Sequence, residues 1–508
     1  MSPTTGTATA ASQSPPASGA AGPPPSPSLS SSSAPPSVAR AAAVSAFAQL
    51  GAKALHLVLN VVSTLAIVRY LAPREYGVYV VVLTVTTLAA LAADFGLPKL
   101  AVREICAAPD DPDVENRVLG TIVALRLVLA VAAVGLVMLV LLALGQPAYA
   151  YGAAAVASLT GVGEAVASAV VVVFQLRLAQ HYEAWVRAGT ELLETAAVLV
   201  LVAAQASLIW LFVPAAAGTA LAAAMIVLLA RFRFGAVLRF DRRRVRPLLI
   251  AALPIAPALL VGVLYRKMDS LALAALRPSV DVGIYGAAVQ PIDYAFLSTA
   301  LLMNVAFPLM SAAHGRGDLV RFAVLYRRGA ESLVLLTLAL PLVLLFVARP
   351  LAVRVFGPSY AAADVPLVLL SVALVPLVIS VWQSLALLLG GHQKVTLYYN
   401  LAALAVSALL STVLVLAFGI VGAGVAAVVT GLFVMTASGV ALHRLMGVRL
   451  EIRPLLRIAG TAGIAGGVLT LLSLTGVTWW LLALVGVLAF VVAARMTGAH
   501  RSLVGVVA

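Results

Sequence analysis

The chain has 508 residues, of which 63% are apolar and only 10% are charged, and its formal net charge is +14. Soluble domains are close to half apolar and carry about a quarter charged residues, so this composition excludes a soluble globular protein. Positive charge is typical of the cytoplasmic loops of membrane proteins, and we therefore expect no nucleic-acid partner.

Residues 1–40 consist mainly of Ser, Pro, Ala and Gly and contain one charged residue, Arg40. A segment with so little apolar surface cannot offset the entropy lost on ordering, so we predict a disordered cytoplasmic tail. A basic start followed by an apolar core is missing, which argues against a signal peptide.

Beyond the tail, the chain is a series of apolar runs rich in Leu, Val and Ala. A helix of about 20 such residues crosses a hydrocarbon core of about 30 Å. The runs lack the period-2 alternation of barrel strands, which favours helices. They predict an all-α polytopic membrane protein with about 14 transmembrane helices, at 44–68, 77–97, 119–143, 151–174, 189–205, 208–230, 248–272, 282–306, 331–348, 365–389, 397–418, 422–442, 456–474 and 479–495.

The basic residues between these helices indicate the orientation. If the N-terminus is cytoplasmic, the outer loops hold only Arg69, Arg74, Arg277, Arg349 and Arg354, and the other loop Lys and Arg residues lie inside. This asymmetry follows the positive-inside rule and predicts cytoplasmic N- and C-termini. The scarcity of lysine and the Ala, Val, Leu and Gly bias are typical of a GC-rich bacterial genome, so we expect a multi-pass protein of the bacterial cytoplasmic membrane.

Two similar segments indicate an internal repeat. LAPREYGVY follows the first predicted helix and LRPSVDVGIYG follows the seventh, with Gly77 and Tyr79 matching Gly283 and Tyr285. Six helices separate the copies, so both halves have the same orientation and are parallel repeats around a central cavity. The predicted units are a six-helix lobe at 41–230, a basic cytoplasmic linker at 231–247, a second six-helix lobe at 248–443, and two additional helices with a short tail at 444–508.

The linker, RFRFGAVLRFDRRRVRP, is the most basic stretch of the chain. We interpret it as a hinge between the halves whose charges set the topology. The alternative is an amphipathic patch that binds anionic lipid headgroups.

Polar residues inside membrane spans are costly and are therefore candidates for function. Lys53, His56 and Asn60 share one face of the first helix, with Lys53 well below its cytoplasmic end. We predict a cationic stripe that faces the cavity; the alternative is a polar contact with another helix. Arg126 on the third helix could reach the cavity or the cytoplasmic interface, and Glu164 on the fourth is expected to neutralise it.

The seventh helix carries Arg266, Lys267 and Asp269 in its outer third, and Arg266 and Asp269 are expected to pair at i, i+3. Pro254 and Pro257 predict a kink in the same helix. Glu191 and Glu194 are expected at the interface, in the first turns of the fifth helix. The predicted substrate-binding residues are Lys53, His56, Asn60, Arg126, Arg266, Lys267 and Asp269.

Motifs for catalysis are missing from the sequence. It contains no Walker A, HExxH or GxSxG pattern, and Cys106 is the single cysteine. We therefore expect a transporter rather than an enzyme, with no cofactor and no metal. A membrane glycan polymerase or ligase would need long outer loops, which this chain lacks.

Several stretches resemble the polysaccharide-biosynthesis flippases. LAPREYGVY and LAADFGLPKLAVREI (91–105) resemble the opening of Wzx-like oligosaccharide flippases of the multidrug/oligosaccharidyl-lipid/polysaccharide (MOP) exporter superfamily. ALPIAPALLVGVLYRKMDSLALAAL, with VGIYGAA after it, resembles the start of their second half, in which an Asp matches Asp269. FPLMSAAHGRGD and FGPSYAAADVPLVLL resemble family loops, and the resemblance extends from residue 41 to about 445.

The resemblance implies a two-lobed flippase of twelve to fourteen helices. It implies that a polyprenyl-diphosphate-linked oligosaccharide moves from the inner to the outer leaflet by alternating access. The implied partners are this lipid-linked glycan, membrane lipids, and glycosyltransferases or a polymerase of the same pathway. The alternative within the superfamily is a cation-coupled multidrug antiporter, which needs an acidic cavity. Lys53 and His56, on a first helix without a carboxylate, argue against that alternative.

Overall fold

The computed structural model describes residues 36–106, 111–253, 256–449, 452–475 and 477–498. Across these ranges the chain is helical apart from short connections, and none of it forms a strand. The predicted all-α class is confirmed. Residues 1–35 of the predicted tail lie outside the described ranges, and the end of that tail belongs to the first helix, which begins at Pro36.

The helices form two lobes and a C-terminal pair. The first lobe contains α1 (Pro36–Tyr70), α2 (Pro73–Asp94), α3 (Leu97–Cys106), α4 (Pro112–Ala143), α5 (Ala148–Leu176), α6 (Gln180–Ala203) and α7 (Val213–Phe234). The short helix α8 (Arg242–Ala252) leads into the second lobe. The second lobe and the pair contain α9 (Ala256–Leu264), α10 (Met268–Leu276), α11 (Ser279–Gly315), α12 (Leu319–Leu351), α13 (Asp364–Leu389), α14 (Gln393–Met446), α15 (Ile452–Ser473) and α16 (Trp479–Met496).

Eleven helices of the described ranges are long and apolar enough to cross a membrane. One of them, α14, is two spans joined at Gly419, whose φ of 59° and ψ of −132° break the helix. A side chain would strain this backbone, so glycine is required here. The break falls between the predicted helices 397–418 and 422–442. If α14 is counted as two spans, and the polar helix α6 and the interrupted segment α8–α10 are added, the number of spans agrees with the predicted number of about fourteen.

The fifth predicted helix, 189–205, begins too late. The observed helix α6 starts at Gln180, so its first turns hold Glu183 and Arg187 instead of Glu191 and Glu194. Glu183 and Arg187 are four residues apart and form an ion pair, with Oε1 and Nε separated by 2.9 Å. Pairing within the helix allows polar residues to extend it beyond the apolar run.

The seventh predicted helix, 248–272, is not continuous. It consists of α8, α9 and α10, with a 3₁₀ turn over Tyr265–Lys267 between the last two. Lys267 has a φ of −109° and a ψ of 7°, outside the helical range. Pro254, where a kink is predicted, lies outside the described residues, and Pro257 is in the first turn of α9.

The two lobes meet mainly through α2 and α11, the helices that carry the repeated segments. Around the first turns of both helices, Arg69 Nε donates to the carbonyl oxygen of Val355 (2.8 Å) and the Tyr360 hydroxyl donates to that of Leu71 (2.9 Å). Tyr76 packs edge-on against Tyr360, with the ring centroids 6.1 Å apart. We call this contact region the sealed end.

The connection between the lobes lies along α4 at the other end. Its residues 235–241, which we call the strap, are not helical and bind the first turns of α4. The backbone N–H of Val237 donates to Asn116 Oδ1 (2.8 Å), and that of Arg239 donates to the Asn116 carbonyl oxygen (3.1 Å). After the strap, Leu248 and Ala252 of α8 are buried in the apolar cluster of the first lobe, against α3 and α4.

Candidate functional site

A polar cavity of about 320 Å³ lies among α1, α2, α5, α6 and α7. Hydroxyl, amide and carboxylate groups from all five helices line it. Tyr79 and Phe212 stack at its apolar wall, with ring centroids 4.8 Å apart. The polar lining residues are Asn60, Ser63, Thr64, Thr86, Thr87, Thr160, Glu164, Glu194 and Thr219.

The polar face of α1 packs against α6. His56 Nδ1 lies 2.7 Å from Glu191 Oε1, and Asn60 Nδ2 lies 3.2 Å from the same ring nitrogen. Ser63 Oγ donates to Thr195 Oγ1 at 3.2 Å. The contact with another helix, which is the alternative to a stripe that faces the cavity, is therefore present for His56. Its partner, Glu191, is a carboxylate that the sequence predicts at the membrane interface.

Lys53 lies one turn before His56 and does not join this network. Its side chain is exposed, and it makes no hydrogen bond or ion pair with any residue that the structure describes. It is therefore available to an anionic ligand, whereas the His56 ring is already held by Glu191.

Glu164 does not neutralise Arg126, contrary to expectation. Its carboxylate binds Arg187 through two parallel hydrogen bonds of 3.0 and 3.2 Å. The predicted helix 189–205 leaves Arg187 in the preceding loop. The longer helix α6 places this guanidinium beside the cavity, where it also holds Glu183.

Arg126 is buried, with 4% of its side chain exposed, and reaches neither the cavity nor the interface. Its Nη2 lies 2.5 Å from Asp94 Oδ1, and its Nη1 donates to Ser168. In this structure Arg126 is held by Asp94, and its role as a substrate-binding residue stays a prediction. Asp94, at the end of the second span, is the partner that the sequence interpretation missed.

The second lobe contains a smaller cavity of about 90 Å³. It brings together Arg266, Lys267 and Asp269 with Asp293 of α11, as part of a lining that also includes Ser270, Ser407 and Thr430. Lys267 Nζ lies 2.8 Å from Asp293 Oδ2.

The expected Arg266–Asp269 ion pair does not form. The Arg266 guanidinium lies over the ring of Phe296, 4.7 Å from its centroid, which is a cation–π contact. Asp269 is buried and instead accepts hydrogen bonds from the Tyr285 hydroxyl and from the Ser270 backbone N–H (2.7 Å). The 3₁₀ turn before Asp269 changes the helical register on which the i, i+3 prediction depends.

The predicted residues thus divide between two places. His56 and Asn60 belong to the first-lobe network, and Arg266, Lys267 and Asp269 to the second-lobe cavity. The sequence interpretation places too few acidic residues inside the helical bundle. Asp94, Glu191 and Glu194 all lie within it. Glu183, Arg187, Glu191 and Glu194 follow one another at helical spacing, and this pattern could have revealed the longer helix α6.

The first-lobe cavity suits a polar, uncharged group. Its hydroxyls and amide can donate and accept hydrogen bonds, its stacked rings offer an apolar face, and most charges around it are already paired. Such a mixture of an apolar wall and a few convergent polar groups is typical of small-molecule sites. Among the described residues, no group of three His, Cys, Asp or Glu side chains is arranged to hold a metal ion.

Solved structures with the same fold are membrane transporters. The lipid II flippase MurJ in an inward closed conformation has a TM-score of 0.74 and 11% identity, over 91% of this chain and 99% of that protein. An inward-facing multidrug resistance MATE transporter of the MOP superfamily has a TM-score of 0.60 and 14% identity, over 77% of this chain and 94% of that protein. A mutant of the Vibrio cholerae MATE transporter VcmN has a TM-score of 0.56 and 16% identity, over 80% of this chain and 98% of that protein.

The sequence comparison identifies the family. No curated protein matches the chain. The family model for polysaccharide biosynthesis proteins matches residues 38–314, which cover the first lobe and the start of the second. Since this match spans more than half of the sequence, the chain belongs to the polysaccharide biosynthesis protein family.

Proposed function

We propose that this protein moves a polyprenyl-diphosphate-linked oligosaccharide from the inner to the outer leaflet of a bacterial cytoplasmic membrane by alternating access. The observation that carries the proposal is the hydroxyl-lined cavity inside the membrane-spanning part of the first lobe. A glycan must exchange its hydration for protein hydrogen bonds when it crosses a membrane, because an unpaired polar group in hydrocarbon costs several kcal/mol, roughly 2–7. The family and the similar solved structures support the same function.

The diphosphate of such a substrate needs cations. Lys53, which is exposed and unpaired among the described residues, and Arg266, which is held over Phe296, are the proposed ligands for the anion. Lys267 is paired with Asp293 and would contribute only if substrate binding separated them. The glycosyltransferases or polymerase of the same pathway are the proposed protein partners.

Transport in proteoliposomes tests the role of Lys53. Lys53→Ala should reduce flipping of a polyprenyl-diphosphate-linked sugar strongly, whereas Lys53→Arg should retain part of the rate, since it keeps the charge. Lys99→Ala is the matched control, because Lys99 is also exposed but lies on α3. Equal rates for Lys53→Ala and the control, at equal protein insertion, would exclude the assignment.

A second candidate function is export of an organic cation. Glu194 lines the first-lobe cavity without an ion-pair partner in the described part of the chain, close to the stacked rings of Tyr79 and Phe212. The lack of a carboxylate on α1 is therefore a weaker argument against an antiporter than the sequence suggested. Uptake of tetraphenylphosphonium driven by a pH gradient, and abolished in Glu194→Gln, would favour this function over flipping.

A further inference from the structure

The strap holds a strongly basic surface at the membrane boundary. It follows the end of the span Leu208–Phe234 in the chain and packs against the start of the span Asp113–Ala143. The strap therefore lies at the level of the lipid headgroups. Besides the Asn116 contacts, the Asp241 backbone N–H donates to Thr121 Oγ1 at 3.0 Å. At Gly120, a Cβ would lie 2.4 Å from the backbone of Arg239, so the strap touches α4 directly.

Most arginines of this surface have no acidic partner. Arg239 pairs with Asp113 (2.9 Å), and Arg244 lies 3.7 Å from Asp241. The remaining five lie before and after the strap, at the end of α7 and on α8; they are exposed and form no ion pair within the described residues. They are Arg231, Arg233, Arg242, Arg243 and Arg246. Unpaired guanidinium groups concentrated within residues 231–246 repel one another unless anions bind among them.

Apolar side chains accompany these charges. Phe232, between Arg231 and Arg233, is 81% exposed, and Phe240, two residues before Arg242, is 60% exposed. Ile250 of α8 and Leu253 just after it are also exposed, whereas Leu248 is buried in the first-lobe cluster. Aromatic rings next to guanidinium groups are typical of a surface that enters the headgroup layer of a membrane.

We propose that this surface, formed by the strap, the end of α7 and the start of α8, binds anionic phospholipid headgroups. The guanidinium groups bind the lipid phosphates, and Phe232 and Phe240 insert among the acyl chains beneath them. Because the strap is hydrogen-bonded to α4, the bound lipids hold the first lobe, rather than a free loop, at a fixed depth. Charge complementarity favours phosphatidylglycerol or cardiolipin over zwitterionic lipids.

Thermal unfolding of the purified full-length protein in detergent tests the proposal. Phosphatidylglycerol should raise the unfolding temperature more than phosphatidylcholine does, and added salt should reduce the difference. A variant with Gln at the five unpaired arginines should lose most of this difference. The matched control carries five Arg→Gln changes at other exposed positions, Arg316, Arg321, Arg444, Arg457 and Arg495, and should keep it.

Native mass spectrometry provides a second readout. The wild type and the control should retain more bound phosphatidylglycerol than the variant with Gln at the five unpaired arginines, which we call the fivefold variant. The variants Arg231→Gln/Arg233→Gln and Arg242→Gln/Arg243→Gln should each lose part of the response, and they serve if the fivefold variant is unstable. If the fivefold variant and the control lose the response to phosphatidylglycerol equally, the effect is one of net charge in general, and the proposal is overturned. The proposal is also overturned if the fivefold variant responds to phosphatidylglycerol like the wild type, or if the wild type responds equally to phosphatidylglycerol and phosphatidylcholine.

Discussion

Gly77 of α2 and Gly283 of α11 pack against each other's helices in a reciprocal way. A Cβ on Gly77 would lie 1.8 Å from the carbonyl oxygen of Ser279, and a Cβ on Gly283 would lie 1.9 Å from that of Pro73. These are the two glycines that the internal repeat aligns. The repeated segments therefore contact each other, and each glycine allows the backbone of the other half to approach.

Gly283→Ala should open the sealed end, because the added methyl group cannot fit and overpacking costs about 1–3 kcal/mol. Spin labels at Ala148 and Ser359, in a Cys106→Ser background, should report longer distances than in the parent protein. Gly135→Ala is the control, since a Cβ on Gly135 meets nothing within 4 Å. Identical distance distributions for the two variants would show that the glycine contact does not hold the lobes together.

Arg126→Ala should destabilise the protein, because it leaves the Asp94 carboxylate without its partner. Breaking a buried ion pair costs about 3–5 kcal/mol, and the 32% exposure of Asp94 places the effect near the lower value. Arg117→Ala removes an exposed pair with Asp113 and should cost at most about 1 kcal/mol. The unfolding temperatures of both variants in detergent measure the difference.

The double variant Arg126→Met/Asp94→Leu should recover most of the stability lost in Arg126→Ala, since neither charge is then unpaired. If the double variant is as stable as the wild type but does not transport, the Arg126–Asp94 pair has a role in transport beyond its contribution to stability.

Tyr76→Phe should leave stability unchanged or raise it. The Tyr76 hydroxyl is buried at the sealed end and has no hydrogen-bond partner among the described residues. Tyr360→Phe is the matched comparison, because it removes the hydrogen bond to the Leu71 carbonyl oxygen and should cost about 1 kcal/mol. A larger loss for Tyr76→Phe than for Tyr360→Phe would mean that the Tyr76 hydroxyl has a partner in solution.

Cysteine labelling checks the proposed orientation. In a Cys106→Ser background, Ser359→Cys at the sealed end should react with a membrane-impermeant maleimide added to intact cells. Gln393→Cys, which is also exposed but at the opposite end, should react only after the cells are lysed. The reverse pattern would place the N-terminus outside and would contradict the orientation that the arginine distribution indicates.

The sequence predicts the membrane spans well, because their length and apolarity follow from the thickness of the bilayer. It also predicts the break in α14, since the apolar stretch 397–442 is about twice as long as one membrane span. It fails at the start of α6, where Glu183, Arg187 and Glu164 compensate one another. A hydropathy average treats such residues as a loop, although their charges are satisfied inside the bundle.

The partners of the intramembrane charges could not be predicted, because they lie on helices distant in sequence. Arg126 pairs with Asp94 on α2, and His56 pairs with Glu191 on α6. One helix gives the spacing of its own residues but not the rotation of its neighbours. The composition could therefore indicate how many charges need partners, but only the packed structure indicates which ones they are.

The burial of Leu248 and Ala252 in the first-lobe cluster has a consequence for biosynthesis. These side chains belong to the same buried cluster as residues of α3 and α4, yet they are translated only after the last span of that lobe and the strap. A nascent chain that ends near residue 230 would therefore have an unfilled groove along α3 and α4. We expect the first half to reach its final packing only when the ribosome has begun to synthesise the second half, which makes the folding of the two halves sequential.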